Sequence, residues 1–104
     1  MAQIRTREIK VTDNKKVQIP NGRVVTVAIW PGPDASRPRR KSMVEGYIDG
    51  IWLGSVSVID DDANESLAPQ TLTLFIPRNA DHAELVFSGQ PPSKVVIVEI
   101  PLDD

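Results

Sequence analysis

The chain has no cysteine, one histidine and only five aromatic residues among its 104. Without cysteine there are no disulfides, no thiolate metal sites and no cysteine nucleophile. A single histidine, His82, excludes the multi-histidine sites typical of catalytic zinc. No apolar run approaches the roughly 20 residues that a membrane helix requires. The start, Met1-Ala2-Gln3-Ile4-Arg5, has no apolar core of the kind a secretory signal needs, so no such signal is expected. Nine prolines, six glycines and few helix-favouring stretches argue against a helical bundle. Charge of one sign is also lacking. Twelve basic and 14 acidic residues leave a net of −2, too balanced for a dedicated nucleic-acid binder.

What the chain has is short apolar alternation punctuated by Pro, Gly, Asn and Asp, which is the pattern of a strand-rich domain. Strands are expected over residues 5–11, with Ile9 and Val11 on one face, over 16–19, and over 24–30, where Val25, Val27 and Ile29 share a face. The clearest local signal runs from Met43 to Ile59. Asp49-Gly50 suits a type I′ turn, whose two central positions need positive φ. A two-residue turn sets Ile48 opposite Ile51, and pairs Tyr47 with Trp52 on the other face. Beyond Leu53 the apolar phase changes, and one inserted residue near Gly54 would return Val56 and Val58 to the core. Further strands are expected over 71–76, with Leu72, Leu74 and Ile76 inward, and over 83–87, with Ala83, Leu85 and Phe87 inward. Residues 95–100 are almost continuously apolar, which predicts a central strand or one covered by a partner. Seven or eight short, mainly antiparallel strands predict a single all-β domain over 1–104, a β-sandwich or jelly roll with an extended N-terminal segment. A chain of this length buries roughly 65% of its unfolded surface, enough for a core without staples.

The balanced total charge hides an asymmetry. Residues 1–41 carry ten Lys or Arg against three acids, a net of +7, and residues 42–104 carry two against eleven, a net of −9. Such opposed halves either attract one another within the chain or steer neighbouring copies together. The basic excess is densest in the long Pro-rich loop 31–42, where Arg37, Arg39, Arg40 and Lys41 lie within five residues. Prolines stiffen such a segment, and guanidinium forks suit carboxylates or phosphates. No aromatic residue is interleaved for base stacking, which points away from nucleic acid.

The acidic stretch 60–65 places Asp60, Asp62 and Asn64 in an EF-hand-like register. Glu65 stands where that loop needs glycine and Thr71 where it needs a bidentate glutamate, so it is not an EF-hand, and no metal or other cofactor is expected. Asn64-Glu65-Ser66 matches a glycosylation sequon. His82 with Asp81 and Ser57 or Ser88 has the residue types of a hydrolytic triad but no nucleophile elbow and no oxyanion turn. The chain is read as a non-enzyme. Tyr47 and Trp52 either fill the small core or, if exposed, form a ligand or interface site.

These features, about a hundred residues without cysteine, a strand-rich body over 24–100 and a polar N-terminal segment, resemble the small β-sandwich or jelly-roll cement (decoration) proteins of tailed bacteriophage capsids. The resemblance implies a structural protein of the virion exterior, otherwise cytoplasmic. It implies dimers or trimers docked on the major capsid protein, clamping neighbouring capsomers, without membrane or nucleic acid as partner. Arg5 and Arg7 of the segment 1–22, and Arg37, Arg39, Arg40 and Lys41, are then the partner-binding residues. The alternative is a carbohydrate-binding β-sandwich module that uses Tyr47 and Trp52, with loop acids holding calcium. Under the capsid reading, replacing Arg37, Arg39 and Arg40 with alanine is expected to weaken co-sedimentation with capsid particles while the circular dichroism of the fold stays unchanged.

Overall fold

A computed structural model describes residues 3–11, 15–31, 40–60 and 69–102, with the backbone alone at Arg40, Ile59 and Asp60. It contains eight strands: β1 (Arg5–Ile9), β2 (Lys15–Ile19), β3 (Arg23–Trp30), β4 (Arg40–Ile48), β5 (Ile51–Asp60), β6 (Gln70–Ile76), β7 (Ala83–Gly89) and β8 (Lys94–Pro101). Among the described residues no helix is long and apolar enough to cross a membrane. Two four-stranded sheets form, ordered β1-β8-β3-β6 and β2-β7-β4-β5. Every pairing is antiparallel. The partners nest around one turn: β4 with β5, β3 with β6, β2 with β7, β1 with β8. A long hairpin rolled up on itself in this way is a jelly roll, one of the two architectures expected.

The tip of that hairpin is the Asp49-Gly50 turn. Asp49 has φ 51° and Gly50 φ 80°, the pair of positive values that a type I′ turn demands. The Asp49 carboxylate also accepts the backbone N–H groups of Asp81 and His82, both at 2.9 Å, while the Asp49 N–H donates to the His82 carbonyl. The turn is thereby tied to the loop that leads into β7.

Three residues past the turn the predicted irregularity appears. Tyr47 faces Trp52, but Gly46 faces Gly54, so Leu53 is the inserted residue of a bulge. Val44 then opposes Val56, and Ser42 opposes Val58. The shift points Val56 and Val58 inward, where Val58 is buried and Val56 packs on the core. That core combines Val25, Val27, Ile29, Leu74, Ile76, Val95 and Ile97 of one sheet with Ile19, Val44, Leu85 and Phe87 of the other. Each such side chain contributes about 1.5–3 kcal/mol on burial.

Three expectations need correction. β4 begins at Arg40, so the last three residues of the anticipated 31–42 loop are strand. They pair on both sides, Lys41 with Ile59 and Ser42 with Gly89, and this outweighs their weak local preference for a strand. Ser42 is buried and its hydroxyl donates to the Gln90 carbonyl. Gly89, at φ 79°, makes the close crossing possible, because a Cβ there would run into the Lys41 carbonyl oxygen. β1 ends at Ile9 rather than at Val11, although Val11 is buried as expected. β8 is central in its sheet, as expected, but the two-sided burial that its apolar run implied is not met among the described residues, where Val96 and Val98 are half-buried and Ile100 is 42% exposed.

The feature that alternation missed is Glu99. It shares the inner face of β8 with Val95 and Ile97 and is fully buried. Arg23 donates from Nη1 to Glu99 Oε1 at 2.8 Å, and Arg7 Nε lies 3.3 Å from Oε2. Two guanidiniums from β1 and β3 thus flank one carboxylate on the strand between them. A buried ion cluster is weak in net stability, but removing one partner strands the rest without compensation. The charge asymmetry of the sequence is partly spent in this cluster, where two bases of the first half meet an acid of the second, whereas the surface pair of Glu8 and Lys94, 3.9 Å apart, joins the minority charges of the two halves and spends none of it. Glu99→Ala is expected to lower unfolding free energy by about 3 kcal/mol in urea titrations. Lys94→Ala, at the exposed pair, should change it by less than about 1 kcal/mol.

Candidate functional site

The outer face of the β2-β7-β4-β5 sheet presents the aromatic pair. Registers place Gln18 opposite Glu84, Glu84 opposite Tyr47 and Tyr47 opposite Trp52. One row across four strands therefore offers an amide, a carboxylate, a phenol and an indole. Residues directly opposite in a sheet are close enough to act together. Trp52 is 55% exposed, so it does not fill the core, and Tyr47 is half-buried beside it. The neighbouring row contains Lys16, Val86, Glu45 and Ser55. Tyr47 Oη donates to Glu45 Oε2 at 3.3 Å. Partial burial first, and then the negative charges of Glu45 and Glu84, push the Tyr47 phenol above its ordinary value. The turn carries Trp52 here because the Leu53 bulge leaves Trp52 in register with Tyr47 while shifting everything beyond.

The other sheet has an outer face of different character. Phe75, Val24 and Ile100 form its first row. Thr73, Thr26, Val98 and Thr6 form the second, and Thr71, Ala28, Val96 and Glu8 the third. Phe75 is 61% exposed. Thr26 and Thr73 satisfy each other's hydroxyls at 3.0 Å. Exposed Ile4 continues the β1 alternation beyond the Arg5↔Glu99 pair, in line with Ile100. The strand charges on this face, Glu8 and Lys94, sit together at one end, with Lys94 Nζ 5.0 Å from the centroid of the Trp30 ring.

The residues predicted to bind a partner are scattered. Arg5 is exposed on β1, and Arg7 is engaged with Glu99. Arg37 and Arg39 lie outside the described residues, Arg40 opens β4, and Lys41 is exposed on the same outer face as Tyr47. The acid stretch with Asp62, Asn64 and Glu65 also lies outside them, apart from Asp60 at the end of β5. Of the triad candidates, His82 is exposed with Nδ1 3.8 Å from Asp49 Oδ1. Ser57 and Ser88 flank Met43, five residues along β4 from His82's neighbour Ile48. Among the described residues no group of three or more His, Asp or Glu could hold a metal ion. A cleft of about 630 Å³ between the end of β1 and the loop 91–93 is lined by Glu8, Ile9, Lys10, Val11, Pro91, Pro92 and Ser93. It contains no nucleophile paired with a base.

Sequence reasoning overlooked the Phe75–Ile100 face. Its signal was present in the apolar residues at the off-phase positions of three strands, Val24, Phe75 and Ile100. No family model matches the chain, and no curated protein matches it.

Tyr47 is the only tyrosine, so ultraviolet titration of the native chain reads it alone. Its midpoint is expected above pH ~10, the ordinary tyrosine value, and Glu45→Gln and Glu84→Gln should each lower it. Because the shift is upward, the associated stability is present below pH ~10 and is lost as pH rises through the raised midpoint.

Proposed function

We propose that this chain is a non-enzymatic structural protein that docks on a larger protein assembly and associates with itself, with cement protein of a tailed-phage capsid as its specific form. The observation that carries this reading is the outer face of the β1-β8-β3-β6 sheet, whose only strand charges, Glu8 and Lys94, sit together at one end. Its four strands, five to eight residues long at about 3.4 Å per residue and about 4.8 Å apart, span roughly 450 Å². Docking such a face buries about 900 Å² in total over both partners, the size of a weak or transient interface. The apolar part of the face, Val24, Phe75, Val98 and Ile100, is a partly exposed patch of the kind that often marks an interaction site. Phe75 and Ile100 supply exposed apolar anchors, and the threonine rows around them add a neutral rim whose hydroxyls are in part already satisfied.

A jelly roll by itself does not choose this role, since the same fold serves capsids and lectins. The occupant that fits the face is a protein surface. The face is broad and flat rather than a pocket, and its charges are confined to one edge. The partner is the outer surface of a capsid shell, and the chain's place is then the virion exterior.

The test is co-sedimentation with shells assembled from the major capsid protein of the same source. The wild-type chain is expected to pellet with shells. Phe75→Lys, at an exposed position, should keep the wild-type unfolding midpoint and lose about tenfold or more in affinity, about 1.4 kcal/mol. A wild-type chain that stays in the supernatant, or a Phe75→Lys chain that pellets equally well, would overturn the reading.

A further inference from the structure

The four edge strands of the sandwich are built differently. An edge strand exposes unpaired backbone N–H and C=O groups, and proteins guard such edges with charge, with proline or with bulges. On β1 the registers set Arg5 and Arg7 in phase with Glu99 and Ile97, and on β2 they set Lys15 in phase with Phe87. These two edges therefore carry basic residues at inward positions, which deters pairing with another strand. The other two edges are β5 and β6, and they lie together, with Gly54 close to the Leu72 side chain. β5 carries no charge over 51–58 but is broken by the Leu53 bulge. β6 has none of these guards. Its seven residues, Gln70 to Ile76, include no charge and no proline, and they follow β3 without a shift in register. Among the described residues the side of β6 away from β3 has no strand and no hydrogen-bond partner.

We infer that β6 pairs antiparallel with β6 of a second copy, about a two-fold axis at Thr73, and joins two four-stranded sheets into one of eight. The inference rests on the self-associating structural role proposed above and names the surface that carries it. A strand paired with itself sets its own charges against each other, so an uncharged edge accepts such a partner where a charged one repels it. With Thr73 at the centre all seven residues pair, and opposite residues share a face. On the outer face Thr73 meets its own counterpart and Phe75 meets Thr71 of the other copy. On the inner side Leu74 meets Leu72. Each off-axis contact is made twice, as an isologous dimer requires. The pairing also answers the small size of the docking face. Two outer faces become one continuous surface of about 900 Å², and docking it buries about 1,800 Å² in total, the range of stable specific interfaces. One copy alone reaches half of that.

Cross-linking and a charge exchange at Thr73 test this. The chain has no cysteine, so Thr73→Cys introduces a single thiol. Residues directly opposite in an antiparallel pair have Cα atoms about 4.5–5.5 Å apart, within disulfide reach. Thr6 lies in the same row on the far edge strand, and its two copies would stand about 34 Å apart, seven strand spacings. Under a mild oxidant Thr73→Cys is expected to form a covalent dimer and Thr6→Cys to stay uncross-linked. By sedimentation velocity the wild-type chain should be a dimer that persists with added salt, because neither β6 nor β5 over 51–58 carries charge. Thr73→Lys and Thr73→Glu, at an exposed position, should keep the wild-type circular dichroism. Each alone should self-associate about fivefold or more weakly, and their mixture should restore the dimer.

A wild-type dimer in which Thr73→Cys cross-links no better than Thr6→Cys would overturn the inference and leave self-association through another surface standing. So would a dimer that added salt dissociates, charged variants that associate as the wild type does, or a mixture no tighter than either variant alone. A chain that is monomeric at every concentration overturns this inference together with the self-association it rests on, while shell binding is judged separately by co-sedimentation.

Discussion

Every strand pairing in this molecule is nested around the two-residue turn at Asp49-Gly50. The β4–β5 ladder starts there, and the β3–β6, β2–β7 and β1–β8 pairs lie successively further out in sequence. In an arrangement of this kind register is inherited. A slip of one residue at the tip would reverse the facing of every side chain down the ladder. The fold handles this with positive φ at both turn positions, with one inserted residue at Leu53, and with the Asp49 carboxylate held by two N–H groups from the loop before β7. The bulge does more than correct the valines. It keeps Trp52 on the outside beside Tyr47 while Val56 and Val58 turn in, so one irregularity serves both the core and the surface row.

The far end of the nesting is closed by charge rather than by apolar packing. β1 is an edge strand with only Ile9 set against the core, and its pairing with β8 closes the longest loop in the chain. Loop closure over such a separation costs entropy that local contacts must offset. Arg7 and Arg23 meeting on Glu99 supply a directional contact that a slipped β1 could not make. The clamp fixes register at the outermost pair as the turn does at the innermost.

Much of this plan was legible from the residues. Alternation found the inward set from Val25 to Phe87, and Asp49-Gly50 located the hairpin, because β-periodicity and turn chemistry are local properties. Strand order was not legible, since several sandwich topologies share one pattern. Glu99 was hidden by the apolar run around it: Val95 to Ile100 reads as continuous, and only the phase set by its neighbours turns the glutamate inward. Arg40 and Lys41 read as loop because their own preferences are polar and their strand partners are distant in sequence. Of the site, the Tyr47–Trp52 pair was visible from the hairpin alone. Whether it faced the core depended on the sheet packing, and the Gln18 and Glu84 ends of the row depended on β2 and β7 joining β4.

The two outer faces of the sandwich make opposite demands on a partner. On one, Phe75, Val24 and Ile100 lie among threonines, and the strand charges Glu8 and Lys94 already face each other. Such a surface gains free energy by leaving water and gains little from any particular charge on its partner. On the other, Glu45 of β4 and Glu84 of β7 stand beside the Tyr47–Trp52 pair, with Lys16 of β2 in the row of Glu45 and Lys41 four residues further along β4. That surface gains by orientation, because charges of both signs reward only a partner that sets unlike charges against them. An apolar face gives adhesion with loose direction, and a charged face gives direction with modest adhesion. The two layers of a jelly roll keep them apart, because each outer face belongs to a different sheet and the core between them isolates one from the other.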